Sequence, residues 1–219
     1  MIKVLGAGTF AAEELASLSV PPQWRKATRN MIMATTSIER ALQQVTGLNV
    51  EHNDQVALVL GSCSGELEAT GEFLSTWATL GMARPVLFQN SLHNASTGFA
   101  AIQYKMVGPS FTVSADERTP QECIELARAL LIESQARVCI VTLVEGHKVL
   151  ADALGLSGVL EGACTLVVSC EPHITDLGLT VRGELTSPLS YLANPKQRPL
   201  IDIQAGGIFG YVRELEKSL

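Results

Sequence analysis

Charge is the scarcest ingredient of this chain. Only 17% of its 219 residues are Asp, Glu, Lys or Arg, and the 16 basic residues form no cluster. With a net charge of −6, nucleic acid and anionic membrane surfaces are poor candidates as partners. No apolar run has the ~20 residues needed to cross a bilayer. The opening, MIKVLGAGTF, lacks the long apolar region and cleavage site of a signal peptide. Disulfide chemistry is also missing: Cys63, Cys123, Cys139, Cys164 and Cys170 are odd in number and widely spaced, which fits neither a disulfide framework nor a zinc pattern. A reduced, cytoplasmic setting is expected. No repeat, low-complexity tract or Pro/Ser linker divides the chain, so residues 1–219 are expected to form one domain.

What is present is apolar. Hydrophobic residues make up 47% of the chain, too many for disorder and enough for a substantial core. Such a composition fits either an Ala- and Leu-rich α/β domain or a subunit with an obligate interface.

The patterning alternates strand and helix. Ile2–Gly6 reads as a short strand ending in Gly6-Ala7-Gly8, and Trp24–Val45 as a helix. Gln55–Leu60 is a compact apolar run, as a buried parallel strand should be. Helices are expected over Leu67–Leu80 and Ser91–Tyr104, and a β-branched strand over Ser110–Ser114. Thr119-Pro120-Gln121-Glu122 has the form of a capping box with Pro at the first helical position. The helix behind it carries an apolar stripe of Cys123, Ile124, Ala127, Leu130 and Leu131. Arg137–Leu143 and Cys164–Ser169 read as buried strands, and Leu177–Leu185 as an exposed one. The tail 195–219 is mixed, with Gly206-Gly207 breaking it before a short helical stretch at Tyr211–Lys217. This order argues for a mostly parallel sheet with helices packed on it.

One stretch, Phe88–Glu117, carries a resemblance. Asn90-Ser91-Leu92-His93-Asn94-Ala95 with Gly98, followed by Gly108-Pro109 and Thr112-Val113-Ser114, resembles the lead-in to the active site of the β-ketoacyl synthases. These thiolase-fold enzymes condense acyl chains. In that family the third residue after the Ser is the nucleophilic Cys; here it is Glu117. Val138–Glu145 and Leu160-Glu161-Gly162-Ala163 resemble the family's next strand with its Glu-bearing turn and its G-E-G-A motif. A weaker likeness covers the first strand and Trp24-Arg25-Lys26, and together the matches reach about residue 185.

The resemblance implies a fold: a single α/β domain with a five-stranded, mostly parallel sheet and packed helices, one half of the thiolase fold. The family's second half carries two catalytic histidines in H-G-T-G-T and H-N-x-G-F-G motifs. Neither motif occurs, and His52, His93, His147 and His173 match none of those positions. A Glu at the nucleophile position is a weak nucleophile that would form only a labile anhydride. The resemblance is therefore to short chain-length-factor-like partners of condensing enzymes in aryl-polyene and related polyketide or fatty-acid-type pathways. It implies no metal or organic cofactor and no catalytic residue on this chain. The implied partner is a full-length catalytic ketosynthase, with acyl carrier protein as a further partner and self-association open to the chain when alone. By the same resemblance the contact runs through the edge strand Phe111-Thr112-Val113-Ser114. Leu87 and Phe88 would reach the end of the partner's acyl tunnel; Asn90 and Asn94 beside them would cap and brace the motif's helix, and His93 would satisfy buried backbone carbonyls or line the interface.

Other readings compete with this one. Glu117 also reads as a surface acid in the turn Ala115-Asp116-Glu117-Arg118. Gly61-Ser62-Cys63-Ser64-Gly65 fits a nucleophile elbow, which would need an acid and then His147 or His173. The acids Glu66 and Glu68 that follow it, and the lack of an oxyanion motif upstream, argue against that hydrolase. Gly6-Ala7-Gly8 invites a dinucleotide reading, but position 11 is Ala rather than the third Gly. An interaction module of another biosynthetic complex is the remaining alternative.

Overall fold

In the computed structural model, which describes residues 2–115, 118–146, 161–171 and 173–185, the strands assemble into one sheet in the order β3-β2-β4-β5-β1-β6. They are β1 (Ile2–Ala11), β2 (Val56–Gly61), β3 (Ser110–Val113), β4 (Val138–Glu145), β5 (Gly162–Cys170) and β6 (Gly183–Leu185). β2 pairs in parallel with β3 and β4; β5 runs antiparallel to both β4 and β1. Consequently β1, β2, β3 and β4 all point one way and β5 alone is reversed among these five. This is the five-stranded, mostly parallel sheet expected, with the three-residue β6 added along β1.

Both faces of the sheet are covered, which is why its central strands read as unbroken apolar runs. Alternate residues serve different layers. Ala57, Val59, Cys139, Val141, Leu166 and Val168 pack under helix α5 (Thr119–Ile132), which contributes Cys123, Ile124, Ala127, Leu130 and Leu131. Leu58, Ile140 and Val167 face α1 (Arg29–Leu42) and α4 (Ala95–Gln103) through Ile38, Ala41 and Ala100. The apolar stripe expected on α5 is therefore its buried face. The remaining helices are α2 (Leu67–Leu80), α3 (Pro85–Asn90) and α6 (His173–Leu177).

Several boundaries differ from the sequence pattern. β1 continues through Gly6-Ala7-Gly8, so those glycines form no phosphate-binding turn. They lie under α1, where a Cβ at Gly6 would fall on the Ala41 carbonyl oxygen and one at Gly8 on that of Ser37. The dinucleotide reading is thereby removed. The first long helix begins at Arg29 rather than Trp24. Thr28 caps it by accepting the Met31 N–H at 3.2 Å, and Trp24 closes a separate turn, where its indole N–H donates to Gln103 Oε1 at 2.8 Å. Ser91–Asn94 precedes α4 instead of opening it, and α3 was not separately expected. At α5 the capping box does not form: Thr119 lies inside the helix and its hydroxyl accepts the Ala115 N–H at 2.8 Å, while Glu122 pairs with Arg118. Of the strand expected over Leu177–Leu185 only Gly183–Leu185 is extended. Glu117, His147 and the tail 195–219 lie outside the described residues.

Candidate functional site

β2, β3 and β4 end on the same side of the sheet, where β5 begins, and the polar residues collect there. The turn after β2 is fastened from all sides. Ser62 N–H donates to the Val113 carbonyl at the end of β3 (3.1 Å), and Gly65 N–H donates back to Ser62 Oγ (2.8 Å). Glu145, the last residue of β4, accepts from Cys63 N–H, from Ser64 N–H at 3.3 Å and from Ser64 Oγ at 2.5 Å. A carboxylate receiving successive backbone N–H groups is the nest arrangement that such turns offer to anions, so Glu145 fills a place where an exogenous anion would otherwise sit. Asn30, at the start of α1, donates to the Gly65 carbonyl at 2.6 Å. Gly65 has φ of +56°, and a Cβ there would collide with the His93 ring; only glycine meets both demands.

The Cys63 thiol donates to Thr119 Oγ1 at 3.3 Å, at the first turn of α5. Of the two histidines that could complete a hydrolase, His147 lies outside the described residues and His173 is remote from Cys63. His173 follows β5, whose far end pairs with the start of β4 (Val138 opposite Ser169), and its Nε2 contacts the Leu131 carbonyl at 3.4 Å. That is the opposite end of the strands from Cys63. Burial pushes the thiol of Cys123 up to about 12 and that of Cys139 up to about 12, so neither supplies a thiolate near neutral pH.

The positions singled out from the sequence fall into two groups. Thr112 shares a hydroxyl–hydroxyl bond of 2.6 Å with Thr97 on α4. Ser114 lies exposed just beyond β3, and Val113 is half-buried beside it. Asn90 is the last residue of α3 and donates to the Lys26 carbonyl at 2.8 Å rather than capping α4. Asn94 occupies the cap position of α4 without a side-chain cap bond, and His93 is exposed apart from its contact with Gly65. Leu87 is half-buried, while Phe88 is 53% exposed with its ring centroid 5.7 Å from that of Phe73.

The sequence reading missed Glu66, Asn30 and the Arg29–Glu161 pair. Glu66 is buried and accepts from Ser96 Oγ. Arg29 joins Glu161 at 2.6 Å across the strand ends. Glu145 and Glu161 stood in motifs already noted; nothing local marked Glu66 as buried.

β3 is an edge of the sheet, and Phe111 on it is exposed. Near it in sequence, α2 buries only Ala69 and α3 buries nothing, leaving Leu74, Trp77, Leu80, Met82 and Phe88 exposed. No helix among the described residues is long and apolar enough to cross a membrane, and none of their His, Cys, Asp and Glu side chains group to hold a metal.

Comparison with known proteins converges on one fold. The β-ketoacyl synthase N-terminal domain family matches residues 34–147, more than half the chain. Solved structures agree. An ishigamide ketosynthase/chain length factor superposes with a TM-score of 0.64 at 16% identity, covering 78% of this chain and 62% of that one. A type II polyketide ketosynthase complexed with its acyl carrier protein gives 0.68 at 17%, covering 85% and 68%. The ketosynthase ApeO in complex with its chain length factor ApeC, from Xenorhabdus doucetiae, gives 0.59 at 19%, covering 77% and 78%. No curated protein matches the sequence. The chain belongs to the β-ketoacyl synthase N-terminal domain family and has a thiolase-like fold; it spans 62% of the length of the first of these structures.

Proposed function

We propose that this chain is a non-catalytic, chain-length-factor-like subunit that pairs with a catalytic β-ketoacyl synthase and shapes its acyl tunnel, in polyketide- or fatty-acid-type synthesis of the aryl-polyene kind. The observation that carries the reading is Glu117 at the position where the family places its Cys. Two features support it. Among the described residues nothing pairs with the outer edge of β3, which bears Phe111 and is open to another chain. Phe88 also projects from α3 without burial, as a side chain offered to a partner's cavity would. In the complex the partner supplies the nucleophile and forms the acyl thioester. This chain supplies a wall, and a filled cavity rejects one methylene too many at about 1–3 kcal/mol. Acyl carrier protein would dock on the complex, and none of these steps draws on a metal or organic cofactor.

The test is co-expression with a full-length catalytic ketosynthase. A stable 1:1 complex is expected, in which an acyl donor labels only the ketosynthase by intact mass. In the reconstituted complex, Leu87→Ala and Phe88→Ala should lengthen the product. An acyl adduct on this chain would overturn the non-catalytic role. Unchanged product length would overturn the tunnel assignment, and a complex formed only with an unrelated biosynthetic protein would favour the interaction-module reading.

A further inference from the structure

Glu66 is only 5% exposed, yet among the described residues no Lys, Arg or His pairs with it. It stands where α2 begins. The Ser96 hydroxyl, from the first turn of α4, donates to its carboxylate, and the Thr28 hydroxyl reaches it from the cap of α1. Other charged groups among the described residues lie around it. Glu68, on its own helix, adds repulsion. Arg29 is engaged by Glu161 at 2.6 Å and lies 3.7 Å from Glu68. From β4, Glu145 is bonded to Ser64, and His93, on the link between α3 and α4, sits against Gly65.

The helices that Glu66 introduces are lightly attached. With only Ala69 buried from α2 and nothing from α3, little apolar burial holds the pair to the body. The Phe73 and Phe88 rings hold the two helices together. Polar bonds fasten the ends: Glu66 to α4, Thr70 Oγ1 to the Ser91 carbonyl at 3.2 Å, and Asn90 to the Lys26 carbonyl at 2.8 Å.

We propose that Glu66 is a proton-controlled latch for the α2–α3 pair: uptake of one proton by its carboxyl tightens the pair onto the body, and release loosens it. The ionised form keeps a charge in a site with no cation among the described residues and draws on hydroxyl donors, Ser96 first. The protonated form can donate as well as accept, so the bond to Ser96 on α4 is kept without a buried charge. Burial accordingly raises the carboxyl above its ordinary value, against the hydroxyls that lower it. For an acid raised in the folded state, the stabilisation is complete below its ordinary value and is lost as pH rises through the raised one. Because the pair carries Leu74, Trp77, Met82 and Phe88, the latch governs how steadily that apolar face is presented.

Hydrogen exchange of the Leu67–Leu80 amides between pH 8 and 5, corrected for intrinsic rates and referenced to α5, reads the latch. Protection of α2 should rise as pH falls, by at most about tenfold per pH unit, the limit for one proton. Glu66→Gln should give high protection that no longer varies with pH. A flat wild-type profile, or an unchanged slope in Glu66→Gln, would overturn the proposal. If that variant does not fold, Ser96→Ala serves instead: losing a donor to the ionised form should move the transition to higher pH, and a transition that stays in place would sink the idea.

Discussion

A Cβ added at Gly8 would meet the Ser37 carbonyl, the Ala41 nitrogen and Arg40 Cβ, all on α1. Backbone and a helix that is itself buried cannot yield, so Gly8→Ala is expected to destabilise the chain by about 1–3 kcal/mol through overpacking, read as a shift in denaturant midpoint. Gly71, inside α2, is the opposite case: nothing lies within 4 Å of its missing Cβ. Gly71→Ala should therefore stabilise by about 0.5–1 kcal/mol through helix propensity and chain entropy. The same pair shows why glycines mislead a sequence reading. Gly6-Ala7-Gly8 looks like a loop because the reason for those glycines is α1, more than 25 residues away in sequence. Glu66 misleads in the same way. An acid two residues from Glu68 reads as solvated, and only Ser96, brought in by another element, marks it as buried.

At the level of elements, the strands were the most legible part. Burial on both faces turns β2, β4 and β5 into compact apolar runs that no exposed segment of this chain imitates. The ends of α2 were legible too, with Gly81 closing it in a left-handed conformation (φ +64°). α3 was hidden because six residues are too few to show a helical period. What the strand patterns also conceal is a polar thread through the core. Thr142 and Thr165 share a hydroxyl bond of 3.0 Å across β4 and β5, and Thr165 shares another of 2.7 Å with Ser37 on α1. Ser37 also donates to the Ala34 carbonyl at 2.9 Å. Thr165→Val keeps the shape and removes the middle of the thread, leaving the fully buried Thr142 hydroxyl without this partner. Thermal or urea unfolding should show a loss of about 1–3 kcal/mol, whereas Ser37→Ala, which removes only the end of the thread, should cost less.

For the whole molecule, the sheet has two different edges. β6 covers β1, while no described strand pairs with the outer edge of β3. Leu58 N–H donates to the Pro109 carbonyl and Ser62 N–H to that of Val113. The odd-numbered residues of this segment therefore turn their backbone toward β2, and Thr112 turns its N–H and carbonyl outward. If a ketosynthase docks by extending the sheet, Thr112→Pro removes the central outward donor without touching the β2 ladder, as proline is tolerated on edge strands. It also removes the Thr112 hydroxyl from Thr97, so Thr112→Val is the control that loses that bond but keeps the N–H. Co-purification from cells expressing both subunits should fail for Thr112→Pro and persist for Thr112→Val. Circular dichroism of each chain alone should show both variants folded. Equal recovery of both complexes would mean that the partner does not pair with β3. The interface would then have to lie on the α2–α3 face, where Trp77 and Met82 stand exposed, and Trp77→Glu rather than Thr112→Pro would be the substitution that separates the subunits.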